Sequence, residues 1–457
     1  MRKIRDPVSL VGVRAWCDAM EDGNPVYTDP EAAACSLHGG LVAPPAMLDS
    51  WAMPGNVPRP AGRGELGERL AKLDDEGFTS VVATESVHEY ERYLRPGDDL
   101  SVEQQIVSLS DEKQTALGVG RFLTTSTEYR DASGASVGRM RFTILKFKPG
   151  TGRAAGGQTP EAAAQPPARR PRPGVIQETR FFWEGCRAGE LRIQQCGSCG
   201  RLAHPPGVRC PACGSYELGY RVASGRGQLY SFVEVQHPRV PAFDYPLLVA
   251  LVELKEGTRL LANLEGVEPD DVQVGMPLEC FFREVEPGFS LPFFRPARPP
   301  RRERTLRYAE VEVGDALPLC PVPITATLIV AGAMASRDFQ DVHHDRDAAI
   351  RRGTPDIFMN IMTTGGLVSR YVGDWAGPEA RFERMALRLG VPNHPGDLMT
   401  LRGEVVAKER RAEEGCVALA LRGHNRRGDH VTARVTLALP LQTEPTPLER
   451  HLGVGPS

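Results

Sequence analysis

Acid–base chemistry in this chain is concentrated in one short segment, Asp338-Phe-Gln-Asp-Val-His343. A carboxylate and an imidazole five residues apart, on a turn that follows a helix, can both reach one water molecule. Because imidazole titrates near neutral pH, we expect His343 to take a proton from the water as general base, and Asp338 to orient the water and return a proton to the substrate, although the two roles could be exchanged. His344 and Asp345 raise a metal-site alternative, which is disfavoured because adjacent histidines on a turn do not easily converge on one ion.

Four cysteines form a second motif, Cys196-Gly-Ser-Cys199 and Cys210-Pro-Ala-Cys213. The spacing C-x2-C-x10-C-x2-C is typical of two knuckles that place four thiolates around one zinc ion. Four protein ligands fill a tetrahedral site, so we expect zinc to be structural. The alternative, four unliganded thiols, would leave a Gly- and Pro-rich segment with little to fold it. The other cysteines show no disulfide framework, which predicts a reducing, cytoplasmic location.

The composition limits the classes of protein to which the chain can belong. With 457 residues, 41% of them hydrophobic and 25% charged, the chain should form about three globular domains. Its 55 Lys and Arg residues against 58 Asp and Glu residues give a net charge of −3, so no nucleic acid is expected as a partner. The apolar runs at 8–13 and 324–335 are too short for a signal peptide and a membrane span, so no membrane association is expected.

A self-comparison suggests how the Asp338–His343 segment is positioned. Residues 15–33 align without a gap with residues 331–349, and seven of the 19 positions are identical. Asp22 in the first copy matches Asp338, but Tyr27 stands at the position of His343. A phenol with a pKa of about 10 cannot replace imidazole as a base at neutral pH. The repeat therefore predicts two copies of one fold, of which only the second is catalytic.

Each copy is predicted to contain a short helix, an acidic turn, a longer helix and then strands with a two-residue period. One main helix against an antiparallel sheet is an α+β architecture. Residues 151–174, rich in Gly, Pro, Ala and Arg, are expected to be a linker, and residues 298–304 a shorter basic linker. Residues 175–297 predict short strands with Gly or Pro breaks, which suits a small β-barrel. The outer domains are predicted at 1–150 and 305–445.

The Asp338–His343 motif, followed by Asp345, resembles the Asp-x-Asn-Pro-x-His-x-Asp motif of the MaoC-like (R)-specific enoyl-CoA hydratases, which have a hot-dog fold. Tyr27 makes the first block similar to the catalytically silent halves of that family. The middle block, from Phe182 through the four cysteines to Tyr230, resembles the zinc-ribbon and OB-fold domains that accompany thiolase-like proteins. The combination is similar to actinobacterial hydratases of steroid side-chain degradation, with two hot-dog domains and the zinc-ribbon/OB-fold domain fused in one chain.

The resemblance implies a reaction and further site residues. Water would add across the α,β double bond of an acyl-CoA thioester, and no redox cofactor would be needed. In the family, the start of the main helix donates a backbone amide to the thioester oxygen, and this start falls at Asn360 and Ile361 here. Cationic groups would bind the CoA phosphates, and Arg351 and Arg352 are the candidates.

Two departures from the family pattern bear on the substrate. The family's Asn-Pro is Gln340-Asp341 here, and its His-Gly-Met aligns with Asn360-Ile-Met362 or, one position earlier, with Met359-Asn360-Ile361. Members of the steroid type share the Asp-Phe-Gln-Asp-Val-His form, which favours a bulky acyl group over a fatty acyl chain.

Partners are also implied by the resemblance. We expect the zinc-ribbon/OB-fold block to dock a thiolase-like aldolase, which cleaves the β-hydroxyacyl-CoA product by a retro-aldol step. The resemblance further implies a homo-oligomer, expected to be a dimer. One alternative is a non-catalytic acyl-CoA-binding scaffold with two silent halves, against which the retention of His343 argues. A nucleic-acid-binding zinc-ribbon/OB protein rests on fold analogy alone.

Overall fold

The computed structural model describes residues 1–55, 64–152, 170–442 and 444–454. The chain divides into two compact units, of which the larger comprises Met1–Gln158, Pro299–Pro318 and Val322–Ser457 and the smaller comprises Thr159–Arg298 and Leu319–Pro321. Most of the linker predicted at 151–174 lies outside the described residues. In the described part of the chain, no helix is long and apolar enough to cross a membrane.

The first half of the larger unit contains an antiparallel sheet with helices mostly before it. Its strands are β1 (Arg2–Lys3), β2 (Ser80–Tyr90), β3 (Ser101–Leu109), β4 (Lys113–Gln114), β5 (Val119–Arg130) and β6 (Ser136–Phe147). Its helices are α1 (Leu10–Met20), α2 (Pro25–Thr28), α3 (Pro30–Cys35) and α4 (Gly64–Asp75), with 3₁₀ turns at Pro45–Met47 and Ser50–Ala52. Buried and partly exposed side chains alternate along most of β5, as expected for a strand with one face against a core.

From residue 170 onward, where the structure describes it, the smaller unit contains an α-helix, a small sheet and a barrel. Helix α5 (Arg180–Ala188) precedes the sheet of β7 (Arg192–Cys196), β8 (Leu202–Ala203) and β9 (Leu218–Val222). The barrel strands are β10 (Arg226–Val235), β11 (Leu247–Leu254), β12 (Arg259–Leu264), β13 (Pro277–Glu286) and β14 (Phe289–Pro296), with a 3₁₀ turn at Pro269–Asp271. They close in the order β10-β11-β12-β14-β13. The barrel expected from the sequence is therefore confirmed, and alternate residues of β11 fill its core.

The second half of the larger unit repeats the helices and the sheet. Its strands are β15 (Ala316–Pro323), β16 (Arg381–Leu389), β17 (Leu398–Arg410), β18 (Glu414–Asn425) and β19 (Gly428–Pro440). Its helices are α6 (Ala326–Ala335), α7 (Arg346–Arg351), α8 (Ile361–Ala376) and α9 (Pro447–His451), with 3₁₀ turns at Tyr308–Glu310 and Asp341–His343. The α+β class expected from the sequence is confirmed.

The two halves share one sheet in the described part of the larger unit. Its strand order is β1-β3-β5-β6-β2-β16-β19-β18-β17-β15, with β4 paired to β5. Strands β2 and β16 join the halves as an antiparallel pair, with Glu89 opposite Arg384 and Glu85 opposite Arg388. The order on one side of this pair mirrors the order on the other, so the sheet repeats the symmetry found in the sequence.

The halves differ in the helix that covers the sheet. Helix α8 has 16 residues, and all but Gly373 and Trp375 are buried. The repeat places residues 45–52 of the first half opposite the start of α8, and this segment forms two 3₁₀ turns instead. The later helix α4 has 12 residues, of which only Leu73 is buried. The longer helix predicted for the first half is therefore present, but it is not a buried counterpart of α8.

Candidate functional site

The predicted acid–base pair lies on the connection between α6 and α7. Asp338 follows the end of α6, and His343 ends the 3₁₀ turn Asp341–His343. His343 Nε2 lies 3.3 Å from Asp338 Oδ2, and the two residues are only 4% and 5% exposed. Gly332 of α6 has no room for a Cβ because Thr363 of α8 lies against it, so α6 approaches α8 closely. This close packing brings the pair to the start of α8.

A backbone carbonyl determines which nitrogen of the neutral His343 ring carries the proton. His343 Nδ1 lies 2.7 Å from the carbonyl oxygen of Phe358, and because a carbonyl oxygen only accepts, Nδ1 carries a proton. In the neutral ring, Nε2 then presents a lone pair to Asp338 Oδ2, which also accepts. These two acceptor atoms can face each other if Nε2 carries a proton, which it donates to Oδ2. They can also do so if a water molecule donates one hydrogen bond to Nε2 and one to Oδ2. A general base alternates between these two states.

Asn360 orients Asp338 and begins α8. Its Nδ2 donates to Asp338 Oδ2 at 3.1 Å and to Ser336 Oγ at 3.0 Å, while its Oδ1 accepts from the amide of Thr363 at 2.8 Å. Burial acts to raise the pKa of Asp338, but the hydrogen bond and charge of His343, together with the Asn360 hydrogen bond, lower that pKa below its ordinary value. Asp338 is therefore a carboxylate at neutral pH.

Helix α8 directs its amino end toward the acid–base pair. The first amides of a helix have no carbonyl four residues earlier to bind, and in α8 the first two belong to Ile361 and Met362. Together with the helix dipole, these amides favour a negatively charged oxygen at the helix start. The site therefore offers a base and an oxyanion-stabilising helix end close together.

The other predicted site residues lie apart from this pair. Arg351 and Arg352 end α7 and are exposed, and Arg352 Nη2 lies 3.4 Å from Asp341 Oδ2. His344 is exposed, and Asp345 caps α7 through a 2.9 Å bond from the amide of Ala348. Among the described residues, the candidate metal cluster consists of cysteines alone, so His344 and Asp345 do not form a metal site with His343.

Sequence reasoning missed three contacts of the pair. The side chain of Asn360 holds Asp338, and Ser336 in turn accepts a hydrogen bond from Asn360. Phe358 supplies its carbonyl to His343 Nδ1, and its ring centroid lies 5.1 Å from that of the His343 ring. A helix-capping analysis could have assigned Asn360 a structural role, because Asn is a preferred residue before the first turn of a helix. The bond from His343 Nδ1 to a backbone carbonyl could not be predicted from any sequence pattern.

The corresponding position in the first half has a different environment. Tyr27 is buried in α2, and burial raises its pKa well above the ordinary value. Burial also raises the pKa of Asp22 to about 6. Asn24 caps α2 through a 3.1 Å bond from the amide of Val26 and donates to the carbonyl of Pro378 at 3.3 Å. This position therefore packs the two halves together and offers no base.

The four predicted zinc ligands lie together in the smaller unit. Their sulfur atoms are all within 4.8 Å of one another, and the Cys196–Cys213 and Cys199–Cys210 sulfur pairs are each 3.6 Å apart. A tetrahedral zinc ion with Zn–S bonds of about 2.3 Å requires sulfur separations of about 3.8 Å, so the four cysteines are arranged for metal binding.

The backbone of each knuckle prepares its cysteines for zinc. Gly200 and Gly214 follow the second cysteine of each pair with φ of +73° and +75°, a conformation that favours glycine. Their amides donate to the carbonyls of Cys196 and Cys210 at 2.9 Å. Hydrogen bonds from the Cys213 and Ala212 amides lower the pKa of Cys210 to about 6, which favours the thiolate that zinc requires.

Three family models match parts of the chain. The FAS1-like dehydratase domain region matches residues 1–140. The rubredoxin-like zinc ribbon domain of ChsH2 matches residues 183–219, and the C-terminal OB-fold domain of ChsH2 matches residues 220–283.

Several known proteins are similar in sequence to parts of this chain. A probable enoyl-CoA hydratase alpha subunit from Thermomonospora curvata is 44% identical over 302 residues, which cover 65% of this chain and 92% of that protein. The alpha and beta subunits of 3-oxo-4,17-pregnadiene-20-carboxyl-CoA hydratase from Mycobacterium tuberculosis are 38% and 50% identical over 295 and 127 residues. These matches cover 65% and 28% of this chain, and 92% and 95% of the respective subunits.

A solved structure matches nearly the whole chain in fold. The structure is a MaoC-like dehydratase with a TM-score of 0.53 and 16% identity, and the match covers 96% of this chain and 97% of that chain. At this identity the match shows the fold alone.

Proposed function

The chain belongs to the family of MaoC-like enoyl-CoA hydratases that carry a zinc ribbon and an OB-fold domain, and on this premise we propose that it hydrates a bulky acyl-CoA thioester of the steroid side-chain type. The family, the fold and the hydro-lyase class that we expected from the sequence are thereby confirmed. The observation that carries the proposal is the buried His343–Asp338 pair at the start of α8, with 3.3 Å between Nε2 and Oδ2.

The proposed reaction begins with a water between His343 Nε2 and Asp338. The amides of Ile361 and Met362 would bind the thioester oxygen, which becomes negatively charged as the water oxygen bonds to the β carbon. His343 would take one proton from this water. Because the pKa of Asp338 is lowered, the imidazolium of His343 is the group better able to return a proton to the α carbon, while the Asp338 carboxylate stabilises it. Hydroxyl and proton then lie on adjacent carbons.

A bulky acyl group is supported by the first half. Within the described residues, 3₁₀ turns at Pro45–Met47 and Ser50–Ala52 stand where the repeat would place a buried helix. A sheet without such a helix has more of its inner face available for a ligand. The names of the M. tuberculosis relatives point to the same class of acyl group.

We further infer that this chain combines what some relatives divide between two subunits. The matches to the M. tuberculosis alpha and beta subunits span 295 and 127 residues, so the 457-residue chain has room for both. On this inference the alpha type corresponds to the silent first half with the zinc-ribbon/OB-fold unit, where the ChsH2 domain models also match, and the beta type corresponds to the half that carries the acid–base pair. Arg351 and Arg352 remain our candidates for the CoA phosphates because they are exposed cations at the end of α7, the helix that follows the Asp338–His343 segment.

Docking of a thiolase-like aldolase on the smaller unit is supported by an apolar stripe on the outer face of the barrel. The stripe consists of Val233 on β10, Val249 and Leu251 on β11, and Leu261 on β12. Val233 lies opposite Val249, and Leu251 opposite Leu261. Val233 and Leu261 are 58% and 66% exposed. Contiguous exposed apolar side chains of this kind mark protein–protein contacts. A homodimer remains a prediction.

Hydration is tested with the purified full-length chain and an unsaturated steroid side-chain acyl-CoA. We expect loss of the ultraviolet absorbance of the conjugated thioester and a product heavier by one water. Binding of the thioester without turnover would favour the non-catalytic scaffold instead.

Docking is tested by affinity purification of the chain with a co-expressed thiolase-like aldolase. The double change Val233→Lys and Leu261→Lys should abolish recovery of the aldolase. Val274→Lys, at an exposed valine outside the stripe, is the matched control and should leave recovery unchanged. Equal recovery with both variants would refute this docking surface.

A further inference from the structure

Five buried side chains in the first half each have a polar atom without a hydrogen-bond partner among the described residues. The atoms are Asp49 Oδ1, Ser50 Oγ, Trp51 Nε1, His88 Nδ1 and Tyr90 Oη. All five residues are less than a tenth exposed. We call these five residues the polar cluster. Buried polar groups in folded proteins are nearly always paired, so several unpaired groups in one place indicate a missing partner.

The polar cluster comes from two elements that face each other. Asp49, Ser50 and Trp51 belong to the segment of 3₁₀ turns, and His88 and Tyr90 lie on the same face of β2, two residues apart. His88 Nε2 lies 3.9 Å from Asp49 Oδ2, and the His88 and Tyr90 rings stack with centroids 6.0 Å apart. Asp49, His88 and Tyr90 therefore lie close together, so a ligand between the two elements could meet groups from both. Ser50 and Trp51 belong to the cluster as the residues that follow Asp49.

The cluster adjoins the acid–base pair of the second half. The turn Pro45–Met47, just before Asp49, contacts α8, whose amino end holds Asp338 through Asn360. Burial raises the pKa of Asp49 to about 7, and the charge of Asp338 adds to this increase. A substrate held at the start of α8 thus has the cluster within reach of its acyl group.

The chemistry of the cluster suits an uncharged oxygen. Trp51 and Tyr90 offer N–H and O–H donors, and burial lowers the pKa of His88 to about 4, so His88 is neutral at neutral pH. A phosphate or carboxylate would need a cation to offset its burial, and the cluster supplies none. A ketone or hydroxyl oxygen needs only hydrogen bonds.

We propose that the polar cluster hydrogen-bonds a ketone or hydroxyl oxygen on the ring system of the acyl group. The proposal deepens the hydratase function and rests on it, because the ligand is the acyl part of that substrate. It assigns the two halves complementary tasks: the second half reacts with the double bond, and the first half recognises an oxygen elsewhere on the acyl group.

The test uses two unsaturated acyl-CoA thioesters with the same fused-ring skeleton, one with a ring ketone and one without it. The native chain should hydrate the ketone with a kcat/KM at least about tenfold higher, because an analogue that lacks the oxygen leaves buried donors unpaired. Tyr90→Phe should lower kcat/KM for the ketone by about five- to tenfold and leave the other thioester unchanged. Trp51→Phe, which removes the N–H, should act in the same direction.

Tyr93→Phe is the matched control, because the Tyr93 hydroxyl already accepts a 2.9 Å bond from the amide of Phe382. It should leave the ratio of the two kcat/KM values unchanged. Turnover of the ketone-free thioester verifies that each variant is folded. Equal hydration of both thioesters by the native chain would overturn the subsite but keep the hydratase, since the cluster would then bind water. No hydration of either thioester would overturn the proposed function itself.

Discussion

The two halves of the larger unit share a strand order, but the side chains at one equivalent position, His343 and Tyr27, differ in their chemistry. In the second half, His343 faces Asp338 across 3.3 Å and is held by a backbone carbonyl. In the first half, Tyr27 is buried beside Asp22, and burial raises the pKa of both side chains. The comparison teaches that this fold requires a short helical turn at the position, whereas the chemistry depends on one side chain and its partners.

Loss of His343 should have the largest effect if only the second half catalyses. A general base contributes about 10²- to 10⁴-fold, so His343→Ala should lower kcat for hydration by at least about two orders of magnitude. Steady-state kinetics of the full-length chain provide the measurement. Near-native turnover by this variant would place the base elsewhere.

Asn360 should have the next largest effect, because its side chain holds Asp338 and caps α8. Asn360→Ala should lower kcat by about tenfold, as expected for loss of a hydrogen bond to a charged group. Since this bond lowers the pKa of Asp338, its loss should raise that pKa. The pH titration of the Asp338 carboxyl group, followed by NMR of its carboxyl carbon in the full-length chain, should then move to higher pH.

Asn24→Ala is the control for this prediction. Asn24 also caps a helix, but in the first half. Its loss should reduce stability by about 1 kcal/mol and leave the titration of Asp338 unchanged. A shift of the Asp338 titration in both variants would mean that the two caps act on the site indirectly.

Zinc should matter to the smaller unit and little to hydration. Cys199→Ser should release the metal and unfold the ribbon, because structural zinc contributes about 10 kcal/mol or more to such modules. The rate of hydration should change by less than about threefold, since the cysteines and the acid–base pair belong to different compact units. Metal analysis and activity of the same preparation test both statements. Freshly purified native chain without zinc would contradict the first.

Tyr27 should have the smallest effect on activity. Tyr27→Phe removes a buried hydroxyl that hydrogen-bonds Tyr93 in the half without the acid–base pair, so kcat should change by less than about twofold. Activity assays at several pH values provide the measurement. A loss equal to that of His343→Ala would mean that both halves catalyse.

Features formed by residues close together in the sequence could be predicted, whereas contacts between residues far apart in the sequence could not. The cysteine spacing and the Asp338–His343 motif are short patterns, and the structure brings both sets of residues together. The Ser336–Asn360 bond joins residues 24 positions apart and leaves no repeating pattern. The exposure of α4 also depends on packing against other elements, which the repeat alone does not specify. The polar cluster could not be predicted for the same reason, since Asp49 and His88 come together only in the folded chain.

The β2–β16 pair also has a consequence for synthesis on the ribosome. Glu89 pairs with Arg384, so 295 residues must be added after one partner before the other exists. At about 5–20 residues per second, β2 emerges roughly 15–60 s before β16. During that interval β2 is an uncovered sheet edge, which can pair with other nascent chains. Translation speed over the intervening segment should therefore influence how much of the protein reaches its native state in the cell.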